Sequence, residues 1–212
     1  MTIFHNLEGV AFRNALKAFS TQALLLPLLT TTLPAIEIDS IGLNLGVSNI
    51  ANEKKDTTGS ITLTKTPQES YTHSELYMLV DGFIEDKTIK ASLNYINNTN
   101  SDFKNNILML GINKYYQLDS YNIYTGILVG IGHQEWKYNP LANTTNTNYT
   151  TSSGVGAIQI GAEYNLQNNI ALGLNTKYYL SNYTTNLDIG ENSSEITHKS
   201  SYSLSFGLRY SF

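Results

Sequence analysis

The chain has 212 residues, of which 41% are hydrophobic and only 14% charged, and its net charge at neutral pH is −4. A negative balance argues against the basic surface that binds nucleic acid, so no nucleic-acid partner is expected. The sequence contains no cysteine, which excludes disulfides, thiolate zinc sites and cysteine nucleophiles.

The first 35 residues have the order of a secretory signal peptide. Arg13 and Lys17 precede an apolar run at 23–29, and small residues follow that run. A basic segment, an apolar segment and a small-residue cleavage site, in that order, are typical of export signals. The alternative is an amphipathic helix of the mature protein. We predict a cleavable signal peptide over residues 1–35 and one mature domain over residues 36–212.

Eight later segments alternate apolar and polar side chains with a period of two, which predicts strands with one apolar face. The predicted strands cover residues 41–48, 74–84, 88–97, 105–117, 121–134, 153–166, 169–181 and 202–212. Long connections at about 49–73, 98–104, 135–152 and 182–200 alternate with short turns at 85–87, 118–120 and 167–168. Residues 60–66 also alternate, so the strands of the first hairpin are expected to continue there. The pattern predicts an up-and-down antiparallel sheet.

The last eleven residues place apolar or aromatic side chains at even positions and small or polar ones at odd positions. An aromatic edge strand invites aggregation in a soluble protein, whereas a closed barrel pairs that edge with its first strand. The ending also resembles the carboxy-terminal assembly signal of bacterial outer-membrane barrels. The residues that match this signal are Ser205, Gly207, Tyr210 and Phe212.

The sequence resembles the eight-stranded outer-membrane barrel superfamily that includes the OmpA transmembrane domain and opacity-type surface proteins. Residues 154–179 carry this resemblance, with a glycine-rich strand, a short turn and an apolar strand, together with residues 206–212. The resemblance implies an all-β fold, an eight-stranded antiparallel transmembrane up-and-down β-barrel in the bacterial outer membrane. It implies short periplasmic turns and four long external loops. The implied partners are outer-membrane lipid, lipopolysaccharide and the barrel-assembly machinery.

Alternation alone does not reveal which face of a barrel points inward. A soluble lipocalin-like barrel would enclose the apolar face and expose the polar one. The polar face of this chain is small and rich in glycine, which suits a narrow interior. That composition and the aromatic terminus favour a barrel whose apolar face points outward.

The inward phase of the predicted barrel collects six charged residues. They are Glu75, Asp81, Lys90, Glu163, Lys177 and Arg209. An unpaired charge in a narrow interior is unfavourable, so we expect an ion-pair network, with Glu163 and Arg209 as the preferred pair. Eight strands leave an interior just wide enough for side chains, which favours a structural, filling role. The alternative is a gated pore or a small binding site.

The histidines form no recognisable catalytic pattern. Lipid A deacylases on such barrels use a serine two residues after the histidine, on the lipid-facing wall. Among His5, His73, His133 and His198 only His198 has that spacing, with Ser200, and both lie in a predicted loop rather than on a strand. His133 and Glu135 would supply only two of the ligands that a metal site needs. We therefore expect no enzyme activity, no metal and no cofactor.

Five aromatic residues near the ends of predicted strands are interpreted as a girdle at the membrane interface. They are Trp136, Tyr138, Tyr178, Tyr183 and Tyr202. The alternative is the ordinary preference of tyrosine for strands.

The expected function is structural: a filled barrel that presents four loops at the cell surface. One rival is a narrow channel for small or hydrophobic solutes, as in OmpW-like barrels. The other is an adhesin that acts through its loops, for which the Asn/Thr-rich segment 141–152 is the candidate contact. The sequence names no host ligand.

Overall fold

The computed structural model describes residues 37–81, 86–137, 149–167, 169–189 and 192–212, so the predicted signal peptide lies outside the described residues. The strands are β1 (Glu37–Thr58), β2 (Ile61–Lys65), β3 (Gln68–Asp81), β4 (Ile89–Thr99), β5 (Phe103–Leu118), β6 (Tyr121–Trp136), β7 (Thr150–Gln167), β8 (Ile170–Ile189) and β9 (Asn192–Ser211). Within these ranges, no helix is long and apolar enough to cross a membrane.

Eight of the nine strands close into a ring. From β3 to β9 each strand pairs antiparallel with the next, and β1 pairs with both β3 and β9. The closing seam is long, since it runs from Ser40 opposite Ser211 to Thr58 opposite Asn192. Closure leaves no free edge at the aromatic end of the chain. The predicted eight-stranded antiparallel barrel is confirmed, and β2 is an additional short strand outside the ring.

The outer wall of the ring is apolar and the inner wall carries the polar side chains. Ile127, Ile131 and Phe206 point outward and are 68%, 69% and 72% exposed. Glu75 and Lys177 point inward and are buried. A contiguous apolar wall of this kind suits lipid rather than water, and it is the reverse of a soluble barrel. The soluble alternative is therefore wrong.

The barrel has two distinct ends. One end carries tight turns such as the Asp119–Ser120 connection between β5 and β6, and we call it the turn end. At the other end four strands continue beyond the wall as a sheet in the order β2, β1, β9, β8, formed above Ala51 of β1 and Leu180 of β8. We call this sheet the projecting ribbon, and this end the ribbon end.

The projecting ribbon corrects two of the predicted long loops. Segments 49–73 and 182–200 consist mostly of paired strands, for example Thr58 opposite Ile61 and Ile189 opposite Asn192. The continuation over residues 60–66 is confirmed, since β2 lies there. The predicted strands stopped too early because the apolar face ends at the membrane boundary. Backbone hydrogen bonding continues past that point.

Candidate functional site: the filled interior of the barrel

A buried ion pair occupies the centre of the barrel. Lys177 Nζ on β8 lies 2.5 Å from Glu75 Oε2 on β3, and the two side chains are 1% and 0% exposed. Asn44 Nδ2 donates to the same carboxylate oxygen at 2.7 Å, and Lys177 also donates to Asn175 Oδ1 at 2.9 Å. A buried pair of this kind offsets its lost hydration only through such added contacts.

Two further ionic groups lie nearer the turn end. Arg209 donates from Nε and Nη2 to Glu163 Oε2, at 3.0 and 2.9 Å. Lys90 Nζ lies 2.5 Å from Asp39 Oδ1 and 3.6 Å from Asp81 Oδ1. The structure thus brings all six predicted interior charges into ion pairs, in three separate groups rather than one network.

Sequence reasoning missed Asp39 as a member of this site. Simple alternation along β1 places Ser40 and Asn44 inward, so Asp39 would point outward. The β1–β3 register shifts between Ile38 and Ser40, and this irregularity allows the Asp39 carboxylate to reach Lys90. No local sequence signal marks a bulge of this type, so only the strand pairing reveals it.

Buried apolar side chains fill the interior around the ion pairs. The cluster near the turn end contains Tyr77, Leu79, Tyr115 and Tyr124. The cluster beyond the central pair contains Ile96, Ile107, Met109, Leu128, Val155, Ala157, Tyr179 and Tyr183. The cluster at the ribbon end, which we call the upper plug, contains Ile50, Tyr71, Phe103, Trp136 and Ile196. The cavity beside Glu75 and Lys177 measures about 10 Å³, room for about one water molecule.

Glycines make room for the interior tyrosines. Gly42 lies directly opposite Tyr77, and a side chain at Gly42 would occupy the space of the Tyr77 ring. A side chain at Gly132 on β6 would likewise occupy the space of the Tyr183 hydroxyl, which reaches it from β8. The glycine-rich inward face therefore accommodates large rings from other strands, which alternation alone did not predict.

The predicted aromatic girdle is wrong for two of its members. Trp136 and Tyr183 are buried inside the barrel, whereas Tyr178 and Tyr202 lie exposed on the outer wall. Tyr138 lies outside the described residues. The predicted strands ended before Trp136 and Tyr183, but β6 and β8 reach them, so alternation still applies and turns both side chains inward.

His198 lies within the aromatic contacts of the upper plug. Its ring centroid is 5.2 Å from that of Phe103, 6.0 Å from Trp136 and 6.5 Å from Tyr183. No described residue forms a hydrogen bond with either ring nitrogen. On the outer surface of β1 and β9, at the height of His198, Glu53 and Lys199 form an ion pair. His198 therefore lies beyond the end of the apolar wall. Burial lowers the pKa of His198 to about 4, so the ring is neutral at physiological pH.

The four residues of the predicted assembly signal divide between the two faces of β9. Ser205 is buried, and Gly207 packs against Asn44, where a larger residue would not fit. Tyr210 and Phe212 lie exposed on the outer wall with ring centroids 5.4 Å apart. The amide of Phe212 donates to the carbonyl of Asp39 at 3.0 Å, next to the closing seam.

A row of polar side chains on the outer wall was not predicted. Register pairing sets Asn97, Asn106, His133 and Ser152 side by side on β4, β5, β6 and β7. Asn97 Nδ2 donates to Asn106 Oδ1 at 2.7 Å, and His133 Nδ1 lies 3.0 Å from Ser152 Oγ. The four positions lie on four different strands, so only the register between the strands brings them together. The described ranges contain no group of three acidic or histidine side chains able to hold a metal.

Comparison with known proteins gives matches in fold but none in sequence. No family model and no curated protein matches the chain. Neisserial surface protein A is similar at 12% identity, with 81% of this chain and 97% of that chain covered and a TM-score of 0.54. The outer membrane protein OprG of Pseudomonas aeruginosa is also similar at 12% identity. The match covers 82% of this chain and 96% of that chain, with a TM-score of 0.53. AlkL, an outer membrane protein whose structure was solved in DMPC lipid bilayers, is similar at 13% identity. The match covers 83% of this chain and 90% of that chain, with a TM-score of 0.50.

At sequence identities this low, the matches show a shared fold and nothing further. The ring of eight strands, the apolar outer wall and the polar and aromatic interior agree with that architecture. The fold that the resemblance implied is confirmed: this chain has the architecture of the eight-stranded outer-membrane β-barrels that it matches.

Proposed function

We propose that this chain is a closed scaffold of the bacterial outer membrane, which presents its external connections at the cell surface and conducts no solute. The observation that carries the proposal is the filled interior. Side chains from opposite walls meet at Glu75 and Lys177, and the adjoining cavity of about 10 Å³ does not accept a solute. Apolar clusters lie on both sides of this pair.

The proposed orientation places the turn end in the periplasm and the ribbon end outside. Barrels of this class keep tight turns on the periplasmic side and longer connections outside. The outer wall would contact membrane lipid and lipopolysaccharide, and Tyr210 and Phe212 would serve recognition by the barrel-assembly machinery. No catalytic step, cofactor or nucleic acid enters the proposal.

Conductance separates the scaffold from the rival channel. Purified protein in planar bilayers is expected to give no discrete current steps. A variant with smaller interior side chains, Tyr77→Ala combined with Phe103→Ala and Tyr179→Ala, is expected to give steps, because each change removes a ring that blocks the lumen. Heat-modifiable gel migration verifies that both proteins are folded barrels. Steps from the unmodified protein would overturn the proposal.

Epitope accessibility tests the orientation independently. A short tag inserted between Gly59 and Ser60, at the tip of the projecting ribbon, is expected to bind antibody on intact cells. The matched tag between Asp119 and Ser120, at the turn end, is expected to bind only after the outer membrane is opened. The reverse pattern would place the ribbon in the periplasm.

A second candidate function, adhesion, is favoured by one feature of the projecting ribbon. Ile61 and Leu63 on β2 are 66% and 58% exposed, on a strand with one unpaired edge among the described strands. Exposed apolar side chains on an edge strand are typical of contact surfaces. Replacing both with serine should abolish binding of the bacteria to host cells if this candidate is correct, and leave the barrel folded.

A further inference from the structure

The outer wall near the ribbon end contains a groove with a polar side and an apolar side. Its volume is about 440 Å³, and it lies across β4, β5, β6 and β7. Its polar side is formed by Asn106, His133 and Ser152 of the row described above. Its apolar side is the next row toward the turn end, in which Tyr95, Leu108, Ile131 and Gly154 stand side by side. The groove therefore crosses the boundary of the apolar wall.

The polar side retains donors for a ligand. Asn97 Nδ2 and the Tyr95 hydroxyl both donate to Asn106 Oδ1, at 2.7 and 3.1 Å. Because both bonds use the oxygen of that amide, its two N–H donors have no hydrogen-bond partner among the described residues and can serve an outside acceptor. His133 and Ser152 hydrogen bond to each other at 3.0 Å at the far end of the same row.

The apolar side provides space for a hydrocarbon chain. Gly154 and Gly156 both belong to the outward phase of β7, and a side chain built at either position would meet no atom within 4 Å. Val129 and Ile131 on β6 and Leu180 on β8 are exposed beside them. The two glycines thus form the floor of a slot one residue wide that continues the groove into the lipid-facing wall.

Two lysines lie beyond the polar row on its ribbon side. Lys104 on β5 stands opposite Thr99 and Glu135 in the next row. Lys137 Nζ donates to Thr99 Oγ1 at 2.9 Å and to the carbonyl of Asn100 at 3.1 Å. Burial, and next the charge of Lys104, lowers the pKa of Lys137, so the two cations lie close enough to repel each other. The carboxylates of Glu135 and Asp102 also lie near Lys137 and oppose this shift, each by less than Lys104 contributes to it. A bound anion would relieve that repulsion.

We propose that this groove binds one lipid of the external leaflet that has a phosphorylated head group, with its phosphate at Lys104, Lys137 and Asn106 and an acyl chain over Gly154 and Gly156. The groove has the same order of polar and apolar parts as such a lipid. The two lysines and the Asn106 amide lie on the ribbon side of the boundary of the apolar wall, and the glycine slot lies on its turn side. The proposal rests on the proposed placement of the ribbon end outside the cell.

Native mass spectrometry of the folded barrel in detergent tests the proposal. The probes are bisphosphorylated lipid A, the same lipid without phosphates, phosphatidylcholine and inorganic phosphate. One molecule of bisphosphorylated lipid A is expected to stay bound. Its affinity should exceed that of the dephosphorylated form by about tenfold or more, because one charge-assisted contact is of that order.

Two variants and two matched controls locate the site. Gly154→Val fills the slot, and the double change of Lys104→Gln with Lys137→Gln removes the cations; each is expected to lower lipid A binding by about tenfold. Ala162→Val, on the same strand near the turn end, and Lys199→Gln, on the opposite rim, are expected to bind as the unmodified protein does. Heat-modifiable migration establishes that every variant is folded.

Each remaining outcome contradicts the proposal. Equal binding of lipid A and phosphatidylcholine would mean an unspecific annular contact, and binding of inorganic phosphate alone would mean a site without a lipid slot. Unchanged binding by Gly154→Val would place the lipid elsewhere. The closed-scaffold proposal is tested separately, by conductance and by epitope accessibility. Failure of lipid binding would therefore leave that proposal unaffected.

Discussion

Lys177 and Glu75 meet at the centre of the barrel, 2.5 Å apart and shielded from solvent, although 102 positions separate them in the chain. They come from β8 and β3, which do not pair with each other. The contact therefore crosses the lumen and joins opposite walls. Asn44 and Asn175 add hydrogen bonds to the same pair from β1 and β8.

Removing one partner of this pair is expected to destabilise the barrel strongly. Lys177→Met leaves the Glu75 carboxylate buried without its cation, which costs about 3–5 kcal/mol in comparable sites. The double change of Glu75→Gln with Lys177→Met should recover a large part of that loss, because no buried charge remains. Urea unfolding in lipid vesicles measures both. Equal destabilisation by the single and double variants would contradict this account.

The contact between Gly132 and Tyr183 is expected to tolerate no side chain. Gly132→Val places methyl groups where the Tyr183 hydroxyl lies, and overpacking of this kind costs about 1–3 kcal/mol. Gly156→Val is the control, because a side chain there meets no atom within 4 Å. Comparison of the two urea midpoints checks the prediction, which fails if the control variant is the less stable one.

Trp136 allows a direct test of the corrected girdle, since it is the only tryptophan of the chain. A buried indole in the upper plug should be quenched weakly both by iodide in water and by brominated lipid in the bilayer. An interfacial Trp136 would be quenched strongly by brominated lipid. Fluorescence of the refolded protein in vesicles with bromines at graded depths distinguishes the two positions.

His198 is expected to make the upper plug sensitive to acid. Its pKa falls from the ordinary 6.5 to about 4 on folding, because the ring is buried among aromatic side chains. Between those pH values the unfolded chain binds a proton that the folded chain does not. Stability is therefore lost as the pH falls from about 6.5 to about 4, and this group adds no further loss below that. The effect is on the order of 3 kcal/mol.

The variant His198→Phe isolates this effect from the carboxylates that titrate in the same range. It keeps an aromatic ring next to Phe103 but cannot be protonated. The difference in unfolding free energy between the variant and the unmodified protein should grow in favour of the variant as the pH falls from 6.5 to 4. A difference that is independent of pH would show that His198 does not titrate there.

Deletion of Phe212 is expected to separate assembly in cells from stability. Phe212 lies exposed on the outer wall and its amide makes one bond to the carbonyl of Asp39, so refolding into detergent should change little. The yield of heat-modifiable barrel in cells should fall severalfold if the residue serves the assembly machinery. Leu208→Ala, an exposed change on the same face of β9, is the control. An equal loss of folded barrel in cells and in detergent refolding would indicate that Phe212 has a purely structural role.

The sequence by itself determined the strands of the barrel wall, and its small, glycine-rich polar face and aromatic terminus favoured the outward direction of the apolar face. In segments 121–134, 153–166 and 202–212 almost every second residue is apolar, because each outward side chain must face lipid along the full width of the membrane. It also identified six interior charges, though not Asp39, since a charged side chain in the inward phase has no other place in a narrow barrel.

Only the tertiary structure decided the contacts that depend on register between strands. The bulge beside Asp39 and the outer row from Asn97 to Ser152 arise from pairing between strands. The inward position of Trp136 follows from the length of β6, which extends beyond the predicted strand. Apart from residues 60–66, the projecting ribbon was missed because its backbone pairing continues where the apolar pattern has ended. Alternation reports which face a residue occupies, but the neighbours on that face are set by strand stagger, which no single segment encodes.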